Sequence, residues 1–106
     1  MTLNKRRGET EILEYPPDAI GSGNAVVASA GTAVQLSATS TPTKRVYITA
    51  KVGNTGTIWV GSSGVADGTE IPLTNLSSMT IDIDNLTKVY IDSDQSNDAV
   101  GYTYVV

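Results

Sequence analysis

A strict alternation of side chains in the middle of the chain constrains the fold more than any other feature. Between residues 44 and 52, aliphatic residues occupy every second position, and polar or bulkier residues stand between them. The aliphatic set is Val46, Ile48, Ala50 and Val52, and the set between them is Arg45, Tyr47, Thr49 and Lys51. Successive side chains of a β-strand point to opposite faces of its sheet, so this pattern predicts a strand with one buried face.

The period of two recurs along most of the chain. Further runs cover residues 24–30, 32–39, 57–61, 78–84, 86–92 and 99–106. The residues expected on the buried faces of the later runs are Met79, Ile81 and Ile83, then Val89 and Ile91, then Val100, Tyr102 and Tyr104. About seven strands separated by turn signals predict an all-β fold, a small antiparallel β-sandwich or a jelly-roll-like barrel. No segment is suited to be a crossover helix, which argues against a parallel sheet.

The clearest turn signal is Gly53-Asn54-Thr55-Gly56. Glycine and asparagine tolerate positive φ, so we expect this segment to join residues 44–52 to residues 57–61 as a β-hairpin. In the second strand of that hairpin, Ile58 and Val60 share one face and Trp59 points the other way. Tyr47 and Trp59 then fall together on the outer face.

The N-terminal part of the chain has a different character. Residues 1–22 hold seven of the 18 charged residues and show no clean period. Tyr15-Pro16-Pro17 stops any regular element, because proline fixes φ and restricts the residue before it. Gly21-Ser22-Gly23 is typical of a hinge. We therefore expect an extended arm over residues 1–22 and a β-sandwich domain over residues 23–106.

Composition excludes several classes of function. The 106 residues include no cysteine and no histidine, so a Ser-His-Asp triad, a thiol nucleophile and thiolate metal ligands are all absent. A pI near 4.5 argues against nucleic-acid binding, which depends on basic surface. No apolar run is long enough to cross a bilayer. We expect a non-enzymatic protein without a cofactor, made in the cytoplasm and soluble.

Two groups of acidic residues are candidate chemical sites. The turn from Asp92 to Asp98 is rich in oxygen ligands, but its spacing differs from that of an EF-hand. The pattern favours a solvated hairpin turn, with calcium binding as the alternative. Asp82 and Asp84 fall on one exposed strand face, where charges ordinarily meet solvent or pair with a neighbour such as Lys88.

Contact with a partner is the better-supported function, and two groups of residues are candidates. The outer-face aromatics Tyr47 and Trp59 are of the types enriched at interface hot spots, although an error in the predicted face would bury one of them. The other group lies in the arm, which we expect to order on a neighbouring subunit, with a disordered tail as the alternative. Its candidate partner-binding residues are Lys5, Arg6, Arg7, Tyr15, Pro16 and Pro17.

Five short motifs resemble small β-sandwich modules of tailed-bacteriophage virion proteins. They are residues 45–49 (RVYIT), 53–61 (GNTGTIWVG), 68–73 (GTEIPL), 79–83 (MTIDI) and 88–91 (KVYI). The resemblance covers residues 44–106 and departs at Thr74-Asn75-Leu76-Ser77, where such modules often carry a Pro-Gly turn. The arm lies outside it.

The resemblance implies a structural role on the exterior of a virus capsid. It implies a decoration (cement) protein that binds the major capsid protein or another virion protein of the assembled shell and staples neighbouring capsomers. It also implies a homo-oligomer, with a trimer favoured. A phage tail or head-fibre accessory protein is the nearest alternative, and a carbohydrate- or calcium-binding β-module is an alternative of another class.

Overall fold

Eight β-strands form two antiparallel sheets in the computed structural model, which describes residues 19–65 and 71–106. In chain order the strands are β1 (Ile20–Val27), β2 (Val34–Gln35), β3 (Arg45–Ala50), β4 (Ile58–Gly61), β5 (Ile71–Leu73), β6 (Ser78–Ile81), β7 (Tyr90–Ser93) and β8 (Asp98–Val105). Sheet A has the order β1-β8-β3-β6, and sheet B has the order β2-β7-β4-β5. The all-β antiparallel sandwich expected from the alternation is confirmed.

The strand pairing is that of a jelly roll. The first strand pairs with the eighth, the second with the seventh, the third with the sixth and the fourth with the fifth. Two further pairings, β3 with β8 and β4 with β7, complete the sheets. The chain is thus one long antiparallel hairpin rolled into two layers, the arrangement of the eight-stranded jelly roll.

The core lies between the two sheets and is built from the aliphatic positions of the alternating runs. Val46, Ile48 and Ala50 of β3 are fully buried, as the alternation predicts. Side chains from both sheets complete the cluster: Ala25, Val27, Leu36, Ile58, Val60, Leu73, Leu86, Val89, Ile91 and Val100. Met79, Ile81 and Ile83 pack against it, which confirms their predicted direction. The prediction that Val52 enters the core is wrong. β3 ends at Ala50, and the Val52 side chain is 75% exposed.

The predicted hairpin between β3 and β4 is wrong, because these two strands belong to different sheets. The turn residues 53–56 lie in a crossover between the layers. Asn54 fixes this crossover through its side-chain amide, which donates to the Ala99 carbonyl at 2.8 Å and accepts from the Ala99 N–H at 2.9 Å. A bond to the last strand therefore decides the path of a turn that looks local in sequence.

The expected hinge at Gly21-Ser22-Gly23 is also wrong. These three residues lie inside β1, which begins at Ile20 and pairs with β8 along its whole length. The rings of Tyr104 and Tyr102 lie over Gly21 and Gly23, and side chains at these glycines would collide with them. The strand therefore includes the last three residues assigned to the arm, while residues 1–18 lie outside the described part of the chain.

Several predicted strands are shorter than expected; of residues 78–84, for example, only Ser78–Ile81 form a strand. Of residues 32–39, only Val34–Gln35 pair as a strand. The run over 86–92 opens with a 3₁₀ turn, Leu86–Lys88, and the strand begins at Tyr90. Asn85 caps this turn, since its side-chain oxygen accepts from the Thr87 N–H at 3.1 Å. Capping by asparagine satisfies a backbone donor that the short turn leaves without a partner.

Candidate functional site on the outer face of sheet A

The outer face of sheet A is a broad polar surface formed by the alternate positions that do not enter the core. Tyr47 and Thr49 of β3 lie at its centre, beside Thr103 of β8 and Ser22 and Asn24 of β1. Tyr47 is 42% exposed although it is a large aromatic residue. The pleat of the strands places these groups on one face, so hydroxyl, phenol and amide groups face solvent together.

A shallow depression of about 320 Å³ lies in this surface, and we call it the Gly101 depression. Gly101 sits between Asn24 and Thr49 in the register of the sheet. A Cβ at Gly101 would lie 3.6 Å from Asn24 Oδ1 and 3.8 Å from Lys51 Cε, which is ordinary packing distance. The depression therefore exists because this central position carries no side chain. Its outer-face lining is Ser22, Asn24, Tyr47, Thr49, Gly101 and Thr103.

An ion pair stands beside the depression. Arg45 Nε lies 2.7 Å from Asp82 Oδ1, and both side chains are largely exposed. The hydrogen bond to Asp82, followed by one to the Tyr47 side chain, raises the pKa of the Arg45 guanidinium above its ordinary value. Exposed ion pairs contribute little to stability. The hydrogen bonds to Asp82 and Tyr47 hold the guanidinium beside the Tyr47 side chain.

The chemistry of the lining is that of recognition. Hydroxyl and amide groups can both donate and accept hydrogen bonds, and the tyrosine ring offers an apolar face with a polar tip. The lining groups carry no carboxylate that could act as a general acid or base at this position. Such a surface can bind a protein main chain, a polar side-chain patch or a sugar hydroxyl.

The acidic turn from Asp92 to Asp98 is structural, and the prediction that it is a solvated hairpin is wrong. It links β7 in sheet B to β8 in sheet A, and Asp92 and Asp98 are only 1% and 3% exposed. Asp92 Oδ1 accepts from the Gly31 N–H at 3.0 Å and from the Ser93 N–H at 2.8 Å.

Asp98 holds the crossover between β3 and β4. Its Oδ1 accepts from the Thr55 N–H at 2.9 Å, and its Oδ2 accepts from the Gly56 N–H at 2.8 Å and the Ser93 hydroxyl at 3.2 Å. Carboxylates satisfied by backbone donors in this way are strong caps. In the described ranges 19–65 and 71–106, no group of three acidic residues is arranged to hold a metal ion.

Asp82 and Asp84 are each paired with a different cation. Asp82 pairs with Arg45, and Asp84 Oδ1 lies 2.8 Å from Lys88 Nζ. The hydrogen bond from Lys88 lowers the pKa of the Asp84 carboxyl below its ordinary value. Both carboxylates are exposed as expected, but they follow β6 and do not belong to the strand.

The expectation that Tyr47 and Trp59 share one surface is wrong, because β3 and β4 lie in opposite sheets. Tyr47 is exposed on the outside of sheet A. Trp59 lies on the outside of sheet B between Pro72 and Asp92, is only partly exposed, and has a buried Nε1 with no hydrogen-bond acceptor among the described residues. Tyr102 and Tyr104 pack against the core with their ring centroids 6.2 Å apart.

The arm residues proposed as partner contacts lie outside the described residues. They are Lys5, Arg6, Arg7, Tyr15, Pro16 and Pro17. The alternation correctly gives the outward direction of Tyr47, but it does not identify the depression. Gly101 becomes notable only when β1 and β3 are known to be its neighbours, and no short-range signal in the sequence carries that pairing.

Comparison with known proteins gives no match from which a function could be inferred. No protein-family description matches the chain, and a search of curated proteins finds no significant match. Within the described ranges, no helix is sufficiently long and apolar to cross a membrane.

Proposed function

We propose that this chain is a non-enzymatic virion structural protein, and specifically a capsid decoration protein that binds the major capsid protein of an assembled shell. The observation that carries the proposal is the outer face of sheet A, where an exposed tyrosine lies among uncharged polar groups. Protein interfaces are depleted of charge at their centre and enriched in tyrosine. The resemblance of residues 44–106 to virion β-sandwich modules gives the partner its identity.

The state of the acidic groups supports a contact function over catalysis. Asp92 and Asp98 use their oxygens to hold backbone N–H groups, and Asp82 and Asp84 are exposed in ion pairs. Acid–base catalysis by two carboxylates needs environments that push their pKa values apart. Among the described carboxylates, these four have structural partners instead.

Binding to a lattice offers a physical route to tight association. A module with a sandwich surface and an arm can engage two neighbouring coat subunits at once, and the second contact forms at high effective concentration. The proposal therefore predicts tight binding to assembled shells and weak binding to free coat protein. The outer face of sheet A supplies one contact, and the part of the arm that precedes β1, residues 1–18, supplies the other.

Co-sedimentation of the full chain with assembled empty shells tests this proposal. Deletion of residues 1–18 removes no residue of the eight described strands, so the body should fold while shell binding falls. Tyr47→Ala should weaken binding about tenfold, which is the size of a moderate interface hot spot. Ser63→Ala changes an exposed loop residue away from sheet A and is the matched control.

The outcomes separate the related hypotheses. Unchanged binding by both the deletion and Tyr47→Ala would overturn the proposed contacts. Binding to isolated tails or head fibres, without binding to shells, would overturn the decoration role and assign a tail or fibre accessory role. Equal affinity for free coat protein and assembled shells would contradict the multivalent mechanism.

Carbohydrate binding is a second candidate, favoured by the Gly101 depression. Its hydroxyl and amide lining and the adjacent Tyr47 ring suit the polar edges and apolar faces of a sugar. Because the Asp98 and Asp92 carboxylates already accept backbone bonds, we expect this binding not to depend on calcium. A glycan array with the wild type and Tyr47→Ala tests it, in calcium and in chelator. An array with no ligand for the wild type would overturn it.

A further inference from the structure

Among the described residues, no strand pairs with the outer edge of β1. β1 is the outermost strand of sheet A and pairs with β8 over eight residues. The Ala19 carbonyl accepts from the Val106 N–H at 2.9 Å, which fixes the phase of the antiparallel ladder. Backbone groups alternate in direction along such a ladder. The residues whose N–H and C=O groups therefore point away from β8 are Ile20, Ser22, Asn24 and Val26.

This edge lacks the features that protect the other three edges of the sandwich. β2 has two residues, β5 has three and contains Pro72, and β6 has four and ends next to the ion-paired Asp82. β1 carries neither a charged residue nor a proline over its eight residues. Open edges are normally blunted by short length, proline or charge because they template pairing with another strand.

The sequence of β1 complements itself in one antiparallel register. If two copies meet with their Gly23 residues face to face, Ile20 of each lies opposite Val26 of the other, and Ser22 lies opposite Asn24. Ile20 is 75% exposed and Val26 is 49% exposed, so two exposed apolar pairs become covered. The polar pairs can hydrogen bond across the strands, and no charge faces another.

The same register uses every outward backbone group. All four outward residues of each strand meet outward residues of the other, which gives about eight main-chain hydrogen bonds. At the centre, the facing glycines form a close pair with Cα atoms about 4.5 Å apart. Glycine has no side chain to obstruct that approach. A shift of the register by two residues leaves outward groups without partners and separates Ile20 from Val26.

We propose that two copies of this chain pair through β1, antiparallel about a two-fold axis at Gly23, so that their A sheets join into one eight-stranded sheet. The contact is isologous, since each copy offers the same strand to the other. The inference does not depend on the proposed decoration function. Ser22 and Asn24 line the Gly101 depression, so pairing would bring two such depressions onto one continuous face.

Light scattering and sedimentation equilibrium of the full chain over a range of concentrations test the pairing. We expect the mass to rise with concentration from 11.1 kDa toward twice that value. Ile20→Lys combined with Val26→Lys places lysine opposite lysine at both ends and should give a monomer. Leu76→Lys adds charge at a loop residue that is 66% exposed and should leave the association unchanged.

A charge swap tests the register itself. Ile20→Glu combined with Val26→Lys places glutamate opposite lysine across the axis and should restore the dimer that the two lysines abolish. The two positions are about 20 Å apart within one strand, so only pairing between copies brings them together. Circular dichroism and thermal unfolding show whether each variant folds. A comparable fold with changed mass is the expected result.

Four results would overturn the proposal. They are a wild type that stays monomeric at every concentration, a trimer, a dimer that survives the double lysine change in a folded variant, and a folded charge-swap variant that stays monomeric. Shell binding that continues in a folded monomeric variant would leave the decoration proposal in place. Failure of one proposal is thereby distinguished from failure of the other.

Discussion

Replacing Asp98 with alanine tests the claim that one buried carboxylate holds the two sheets in register. The carboxylate bonds to the backbone N–H groups of Thr55 and Gly56 and to the Ser93 hydroxyl, at distances from 2.8 to 3.2 Å. The first two groups belong to the crossover from β3 to β4, and Ser93 is the last residue of β7. Removal of the side chain therefore frees contacts in both layers at once.

The expected cost follows from the number of donors left without an acceptor. An unsatisfied donor costs about 1–3 kcal/mol when buried, and two backbone donors lose their acceptor in Asp98→Ala. Thr55 is exposed and water can reach it, which favours the lower half of that range. We expect a loss of about 3 kcal/mol in the free energy of unfolding, a large part of the total for a domain of this size.

Urea unfolding followed by the fluorescence of the single tryptophan measures this loss. The control is Asp94→Ala, because Asp94 is exposed and accepts one backbone bond, from the Thr57 N–H at 3.0 Å. That change should cost about 0.5–1 kcal/mol. Asp98→Asn keeps one acceptor oxygen and should fall between the two. A loss for Asp98→Ala no larger than that for Asp94→Ala would refute the reasoning.

Three further expectations follow from other contacts. Gly23→Ala places a methyl group against the Tyr102 ring and should lower the free energy of unfolding by about 1–3 kcal/mol. Gly64→Ala is the control, because its methyl group enters open space. Equal melting temperatures for the two variants would contradict this expectation. Lys88→Gln should raise the pKa of Asp84 toward its ordinary value, as measured by NMR titration. The stability that this lowered pKa contributes is fully present at a pH above the ordinary pKa of an aspartate. It is lost as the pH falls through the pKa of Asp84 in the folded protein. Trp59→Phe removes a donor that has no partner among the described residues, so it should change the free energy of unfolding by less than about 1 kcal/mol, and Trp59→Ala should cost more. Unfolding followed by circular dichroism measures both variants. A large loss for Trp59→Phe would contradict this expectation, because it would reveal a partner for Nε1.

The direction of a side chain could be predicted from the sequence because it depends only on the alternation of residues along one strand. The period of two correctly buries Val46 and Ile48 and exposes Tyr47, since the pleat of a strand alone decides these directions. The order of the strands could not be predicted in the same way. Pairing of β1 with β8 joins residues almost at opposite ends of the chain, and alternation carries no information about which strand lies beside which.

The acidic turn shows why polar composition misleads. Aspartates in a turn usually face water, and that rule predicts solvated side chains from Asp92 to Asp98. Here two of them are buried because distant segments supply the donors, Gly31 for Asp92 and Thr55 for Asp98. The Gly101 depression cannot be predicted from the sequence, for the same reason. Its lining comes from three strands that only the folded sheet brings together.

The central place of β8 in sheet A sets an order of events during synthesis. β8 lies between β1 and β3, yet the ribosome makes it after the seven other described strands. Until residues 98–105 emerge, β1 lacks the described strand with which it pairs, and β3 lacks its hydrogen-bonding partner on one edge. Contacts between distant residues also make folding slow. In a nascent chain of this protein, the first strand therefore remains without its partner β8. Sheet A closes only after β8 has left the ribosome.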